Sequence, residues 1–239
     1  MRAAATCCSG STRERSVTSA SAALRGRLRV NIHTNIGRAR IVPALPTFLA
    51  RHPQLQVDVE MTSGALSVVE HGVDLVVRIL DPPDSSLVAR RIGGTRFVTC
   101  ASPEYLRRHG VPAEPSELSR HNCLLYILPE GKPYDVWRFQ RGTEVQTVAP
   151  AGNLRLNDGH ALADVAARGG GIVHLLHVTV ERRIADGTLR AVLGDWHAQG
   201  PPIYVLYPKT RYPSPKVRAF TEFVSELFAE PPPARDDMR

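Results

Sequence analysis

The run Val73-Asp74-Leu75-Val76-Val77-Arg78-Ile79-Leu80 constrains this chain more than any other segment. Its apolar residues are mostly branched and nearly continuous, without the period of two that a half-solvated strand shows. That pattern fits a strand covered on both faces. Such a strand needs helices on its sheet, and the neighbouring segments supply them. Leu28–Ile32 and Leu55–Met61 read as strands, and Ile36–Arg51 as a helix that Pro43 kinks or delays. Ile36, Val42, Leu45, Phe48 and Leu49 form its inward face. Ala65–His71 reads as a short helix and Arg96–Ala101 as a further strand. Repeated strand–helix–strand units predict an α/β fold with a doubly wound sheet.

A second unit follows. Ser102 as N-cap, Pro103 behind it and Glu104 beside the positive helix end open a helix that Gly110 closes. Strands are expected at Cys123–Leu128, Trp137–Arg141, Val145–Val148 and Asn153–Leu156, with a turn at Gly142-Thr143. A helix Gly159–Arg168, capped by Asn157 or Asp158, stops at Gly169–Gly171 before a strand Ile172–Leu175. Ile203–Tyr207 reads as a strand. Ser214–Ala229 reads as a helix with Val217, Phe220, Phe223 or Val224, and Leu227 inward. Two α/β units in one chain place a cleft at the carboxyl ends of their strands, where open sheets bind ligands.

Composition removes several alternatives. At 239 residues, 43 % hydrophobic and 22 % charged, the chain is large enough for a core without staples and too apolar for general disorder. No apolar run approaches the roughly 18 residues of a membrane-spanning helix, so no membrane partner is expected. Cys7, Cys8, Cys100 and Cys123 form no C-x-x-C pair, which leaves no zinc ribbon or disulfide framework. The net charge of +7 rests on arginine, with Lys132, Lys209 and Lys216 the only lysines, and reads as a solvated basic surface or an affinity for acidic partners. Residues 1–25, poor in bulky apolar side chains, are expected to be a disordered leader or linker remnant, and 230–239 a frayed tail. The leader lacks the apolar stretch of a secretory signal, which points to the cytoplasm.

Several segments together resemble the effector-binding domain of LysR-type bacterial transcriptional regulators. They are Gly26–Val30, Gly72–Arg78, Ser85–Arg91, Ala101–Leu106, Asn157-Asp158, Gly169–Ile172 and Ser214–Phe220, in the family's order over residues 26–229. The resemblance implies a periplasmic-binding-protein-like fold of two Rossmann-like subdomains joined by two crossover strands. The first would take residues 26–99 with 204–229, the second 100–203. It also implies a small-molecule effector in the cleft and a homodimer or homotetramer. DNA would be met only through a winged helix-turn-helix, which the residues before Gly26 do not resemble.

Effector contacts are expected at strand–helix loops. His33–Gly37 offers amides and a hydroxyl at a positive dipole end, suited to a carboxylate or similar anion, so Thr34, Asn35 and Ile36 are candidates. Thr34 or Asn35 would serve equally as an N-cap. Thr62 and Ser63 form a second hydrogen-bonding wall. Arg78 could hold an acidic ligand bidentately or pair with Asp74 or Asp81. From the second unit, Tyr126 and Asp158 face back across the cleft or serve core and capping roles. His174 and His177 have helix-face spacing for a metal, but His174 falls in a strand and further ligands are lacking, so neither metal nor cofactor is expected. Cys100 reads as buried and inert. No G-x-S-x-G, Walker, G-x-G-x-x-G or H-E-x-x-H arrangement occurs, and an enzyme is not expected. Two other readings remain: a free-standing solute-binding protein, and a nucleic-acid arm made by the Arg-rich leader.

Overall fold

Leu28, Val30 and Ile32 are each buried on a strand whose intervening Arg27 and Arg29 are exposed, and this alternation places the first sheet face. A computed structural model of the chain describes residues 24–64, 72–80, 87–209 and 213–229. The expected helix at 65–71, Asp81, Ser85, Ser86, residues 1–23 of the leader and the tail at 230–239 lie outside the described residues.

The elements run β1 (Gly26–Ile32), α1 (Thr34–Ile36), a π turn (Gly37–Ile41), α2 (Val42–Arg51), β2 (Leu55–Met61), β3 (Leu75–Ile79) and β4 (Leu87–Ala101). Next come α3 (Pro103–His109), a 3-10 turn (Pro115–Arg120), β5 (Cys123–Tyr126), β6 (Trp137–Arg141), β7 (Glu144–Val148) and β8 (Arg155–Leu156). The chain continues with α4 (Gly159–Ala167), β9 (Ile172–Leu176), α5 (His177–Ala185), β10 (Arg190–Val192), β11 (Ala198–Pro208) and α6 (Pro215–Phe228).

Among the described residues one mixed sheet runs β2-β1-β3-β11-β4-β9-β5-β8, with β10 beside β4 and a separate β6-β7 hairpin. β1, β2 and β3 are parallel, as are β9, β5 and β8. Between these groups lie β11 and β4, antiparallel to each other and to their outer neighbours. The run around Val76 is therefore buried as expected, parallel to β1 on one side and antiparallel to β11 on the other.

The first lobe closes its core with Phe48 from α2 and Phe220 and Phe223 from α6 against Leu28, Val30 and Val77. The second lobe has a core on each sheet face, one around Trp137 and Phe139, the other around Leu162 and Val173. Strands β4 and β11 pass between the lobes, and their pairing slips in register between Gly200 and Tyr204, where Pro201 and Pro202 cannot donate to the ladder. Thr95 Oγ1 donates to the Pro201 carbonyl at 2.6 Å across that slip.

Two expectations need correction. The helix expected over Ile36–Arg51 is three pieces, because α2 restarts at Val42 with Pro43 in its first turn, after the π turn. Val42 and Leu49, expected inward, are exposed at 38 % each, while Ile36 and Phe48 are buried. The strands expected to start at Arg96 and at Ile203 begin earlier, at Leu87 and Ala198, since sheet pairing outweighs the local Gly and Pro signals.

Candidate functional site

A cavity of about 810 Å³ lies between the lobes beside the crossover strands. From the first lobe it is lined by His33, Asn35, Ser63 and Ile79, and from the second by Tyr126, Tyr134 and His174. Phe97 of β4 and Gln199–Pro202 of β11 close its back. The strand β1 ends at Ile32 and turns into α1 through His33, so the imidazole stands at the carboxyl end of the sheet.

The polar groups of the first-lobe wall hold one another. The Asn35 backbone N–H donates to His33 Nδ1 at 3.3 Å, which leaves the proton of the neutral ring on Nε2. Burial, with the nearby Arg78 charge, pushes the His33 pKa down to about 4, so the ring is neutral at pH 7. Asn35 is 5 % exposed and its Oδ1 has no hydrogen-bond partner. Ser63, after β2, and Tyr126 of β5 line the cavity from opposite lobes, and the Ser63 side chain acts on the phenol. Burial raises the Tyr126 pKa, keeping the phenol protonated.

The second-lobe wall is aromatic. The His174 ring lies near-parallel to Trp137 at 4.8 Å and to Phe97 at 4.9 Å, and Phe97 stacks on Tyr134 at 5.3 Å. His174 Nδ1 is hydrogen-bonded to the Thr99 hydroxyl at 2.8 Å, and its Nε2 has no partner. Burial brings its pKa to about 3, so this imidazole too is neutral.

The other expected contacts lie elsewhere. Thr34 does not line the cavity, and Ile36 is fully buried in the first-lobe core. Arg78 does not line the cavity either. Its guanidinium donates to Asn31 Oδ1 at 2.6 Å, to Thr62 Oγ1 at 3.3 Å and to the Val77 carbonyl at 3.1 Å. Asp74 does not hold it, being paired with Lys216 at 3.0 Å, and Asp81 lies outside the described residues. Burial lowers the Arg78 pKa to about 10, and the carboxylate acting on it through space is Glu60. Thr62 is part of the same knot, donating to Asn31 Oδ1 at 3.0 Å. Asp158 caps α4 by accepting from the Ala161 N–H at 3.0 Å and meets Arg38 at 3.4 Å. Asn35, Ser63 and Tyr126 are thus brought together, with Arg78 and Thr62 one layer behind.

Sequence reasoning missed His33, Phe97, Tyr134 and, as a cavity residue, His174. His33 opens the loop His33–Gly37 directly after a strand, a signal that was available. Tyr134 sits in irregular chain, where no periodicity speaks. His174 and His177 do not share a helix face, since β9 ends at Leu176. His177 instead meets Glu181 at 3.6 Å, and among the described residues no three His, Cys, Asp or Glu side chains gather as metal ligands. Cys100 is fully buried and its thiol is pushed up to about 12.

The lobes also touch through α1, the π turn, α4 and α5. His160 Nε2 donates to the Asn35 carbonyl at 3.2 Å, and Arg40 pairs with Glu181 at 2.6 Å. A Cβ on Gly159 would stand 3.2 Å from the Asn35 amide, so glycine there permits the close approach.

Residues 21–229 match the LysR substrate binding domain. This chain belongs to that family. The LysR assignment extends to whole proteins: an HTH-type transcriptional regulator of Haemophilus influenzae is 34 % identical over 197 residues, covering 82 % of this chain and 68 % of that one. The HTH-type transcriptional activator TtdR of Escherichia coli is 30 % identical over 200 residues, 84 % of this chain and 64 % of its own length. The chain thus spans about two thirds of the relatives it matches. Among solved structures, the regulatory domain of CrgA, a LysR-type transcriptional regulator from Neisseria meningitidis, superposes with a TM-score of 0.76 at 27 % identity. That match covers 86 % of this chain and all of the CrgA domain. Full-length AphB, the Vibrio cholerae virulence activator, gives a TM-score of 0.74 at 27 % identity over 85 % of this chain and 69 % of its own. The periplasmic-binding-protein-like architecture of LysR regulatory domains is therefore the fold of this chain.

Proposed function

We propose that this LysR domain senses a small anionic metabolite in the cavity between its lobes and passes the occupancy to a transcriptional regulator. The observation that carries this is the wall composition: both lobes contribute polar groups to one cavity, with Asn35 and Ser63 on one side and Tyr126 and His174 on the other. A ligand held by both walls binds one relative lobe arrangement better than others, and that differential affinity is what shifts a conformational equilibrium. The crossover strands β4 and β11, with the slip at Gly200–Tyr204, are the hinge. The chain divides accordingly into residues 26–99 with 204–229, and 100–203.

The anionic class rests on Arg78. Its charge reaches His33 from behind Asn31 and Thr62, while the imidazoles on the wall stay neutral and free to donate. The role is non-enzymatic: the cavity lining carries no activated nucleophile, and the protein works in the cytoplasm. DNA contact belongs to a helix-turn-helix outside residues 24–229. A homodimer or higher oligomer is served by Val42 and Leu49 on α2 and Met61 on the outer strand β2, which present exposed apolar surface.

Thermal unfolding against a panel of small mono- and dicarboxylates tests the reading. A true effector at 100 times its Kd adds about 2.7 kcal/mol of stability. Ser63→Ala and Tyr126→Phe each weaken it by roughly tenfold, the worth of one hydrogen bond between ligand and wall. A hit indifferent to both variants, or a panel without hits, refutes the assignment.

A further inference from the structure

We propose that a second cavity at the lobe junction binds a small oxyanion of the phosphate class. This cavity, about 900 Å³, shares no lining residue with the first. The π turn contributes Arg38 and Arg40 to it, α4 contributes Asp164 and α5 contributes Thr179 and Arg182, so both lobes wall it.

Its charge is lopsided. Five guanidiniums line it against three carboxylates, those of Asp164, Glu181 and Asp186. Each carboxylate is already engaged. Arg183 holds Asp164, Arg40 holds Glu181 at 2.6 Å, and the Thr188 amide donates to Asp186 at 3.0 Å. Arg168 donates only to the Asp164 backbone carbonyl, at 3.1 Å. Arg182 makes no ion pair among the described residues. Arg38 is taken by Asp158 at 3.4 Å, so the cationic capacity that remains is that of Arg168 and Arg182.

A second observation points to a ligand. Thr179 is 3 % exposed, lines this cavity, and its hydroxyl has no hydrogen-bond partner. Buried hydroxyls are seldom left unpaired, because nothing repays their lost hydration. Thr179 also stands in the first turn of α5, a nine-residue helix without a side-chain cap, where amide donors are unmet and the dipole favours an anion. Phosphate matches this set: its oxygens accept from a hydroxyl and amides on one side and from forked guanidiniums on the other. Because the walls come from both lobes, an occupant there holds them in their present arrangement. The site is independent of the carboxylate reading of the first cavity.

Isothermal titration of the chain with inorganic phosphate, and separately with glycerol 3-phosphate, tests the proposal, ionic strength being held constant with sodium chloride. Saturable binding of either is expected. Tighter binding of the ester makes the ligand an organic phosphate; tighter binding of the inorganic ion makes it phosphate itself. Thr179→Val, nearly isosteric, and Arg182→Ala, on an exposed side chain, each lower the affinity at least tenfold. Arg182→Ala alone decides the matter should Thr179→Val fail to fold. No saturable heat above the sodium chloride control overturns the proposal. So does phosphate affinity unchanged in folded Arg182→Ala protein.

Discussion

Acidification from pH 7 to pH 5 should remove about 4 kcal/mol of stability through two buried histidines alone. His33 and His174 have folded pKa values of about 4 and about 3, against about 6.5 in an unfolded chain. Their folded values are depressed, so the native state binds fewer protons than the unfolded one between those limits. Stability is fully present above the unfolded value and is lost as pH falls toward the folded ones. At pH 5 the unfolded ring is almost wholly protonated and the folded ring is not. Linkage then costs about 2 kcal/mol for each ring, or about 4 together. The slope approaches about 2.7 kcal/mol per pH unit below pH 6, twice the value for a single proton. Urea unfolding followed by tryptophan fluorescence at pH 7, 6 and 5 measures it. His174→Gln and His33→Asn, which keep hydrogen-bonding capacity without an imidazole, should each remove about 2 kcal/mol of that loss. A loss below about 1 kcal/mol in the parent protein would show that the rings accept protons in the folded state and that the two walls are wet.

Two structural predictions accompany it. Phe220 is fully buried and meets Phe48 edge-on at 5.4 Å, so Phe220→Ala should cost about 3–5 kcal/mol in chemical denaturation. Asp158→Ala removes the α4 cap and the Arg38 contact, which should lower unfolding free energy by about 1 kcal/mol while Ser102→Ala, at the α3 cap, costs a similar amount.

The parts of the fold that local chemistry dictates were legible. Ser102 caps α3 as read, and Val217, Phe220 and Val224 are buried on α6, because caps and periodicity act over one or two turns. Strand lengths were not, since whether Leu87–Thr95 is extended depends on pairing with residues more than a hundred positions away. The helix α5 was missed as well: its first turn follows a strand directly, with no capping side chain to announce it. In the site, the loops were located but their members only partly. Asn35, Ser63 and Tyr126 line the cavity, whereas Thr34, Ile36, Thr62, Arg78 and Asp158 stand behind or beside it. A sequence shows which residues flank a strand end; the inward or outward turn of each is decided by the π turn and by Asn31, whose amide oxygen claims Arg78 and Thr62.

The position of β11 has a consequence for biosynthesis. Among the described residues it is the last strand made, yet it lies between β3 and β4, and α6, made after it, carries Phe220 and Phe223 into the first-lobe core. A nascent chain that has emerged only as far as β10 holds every strand of the second lobe except β11, but its first lobe has an open edge on β3 and a bare groove beside Phe48. Of the two lobes, the one made first is therefore the one that finishes folding last, and a ribosome stalled before Ser214 displays the unfinished half to the cell's chaperones and proteases.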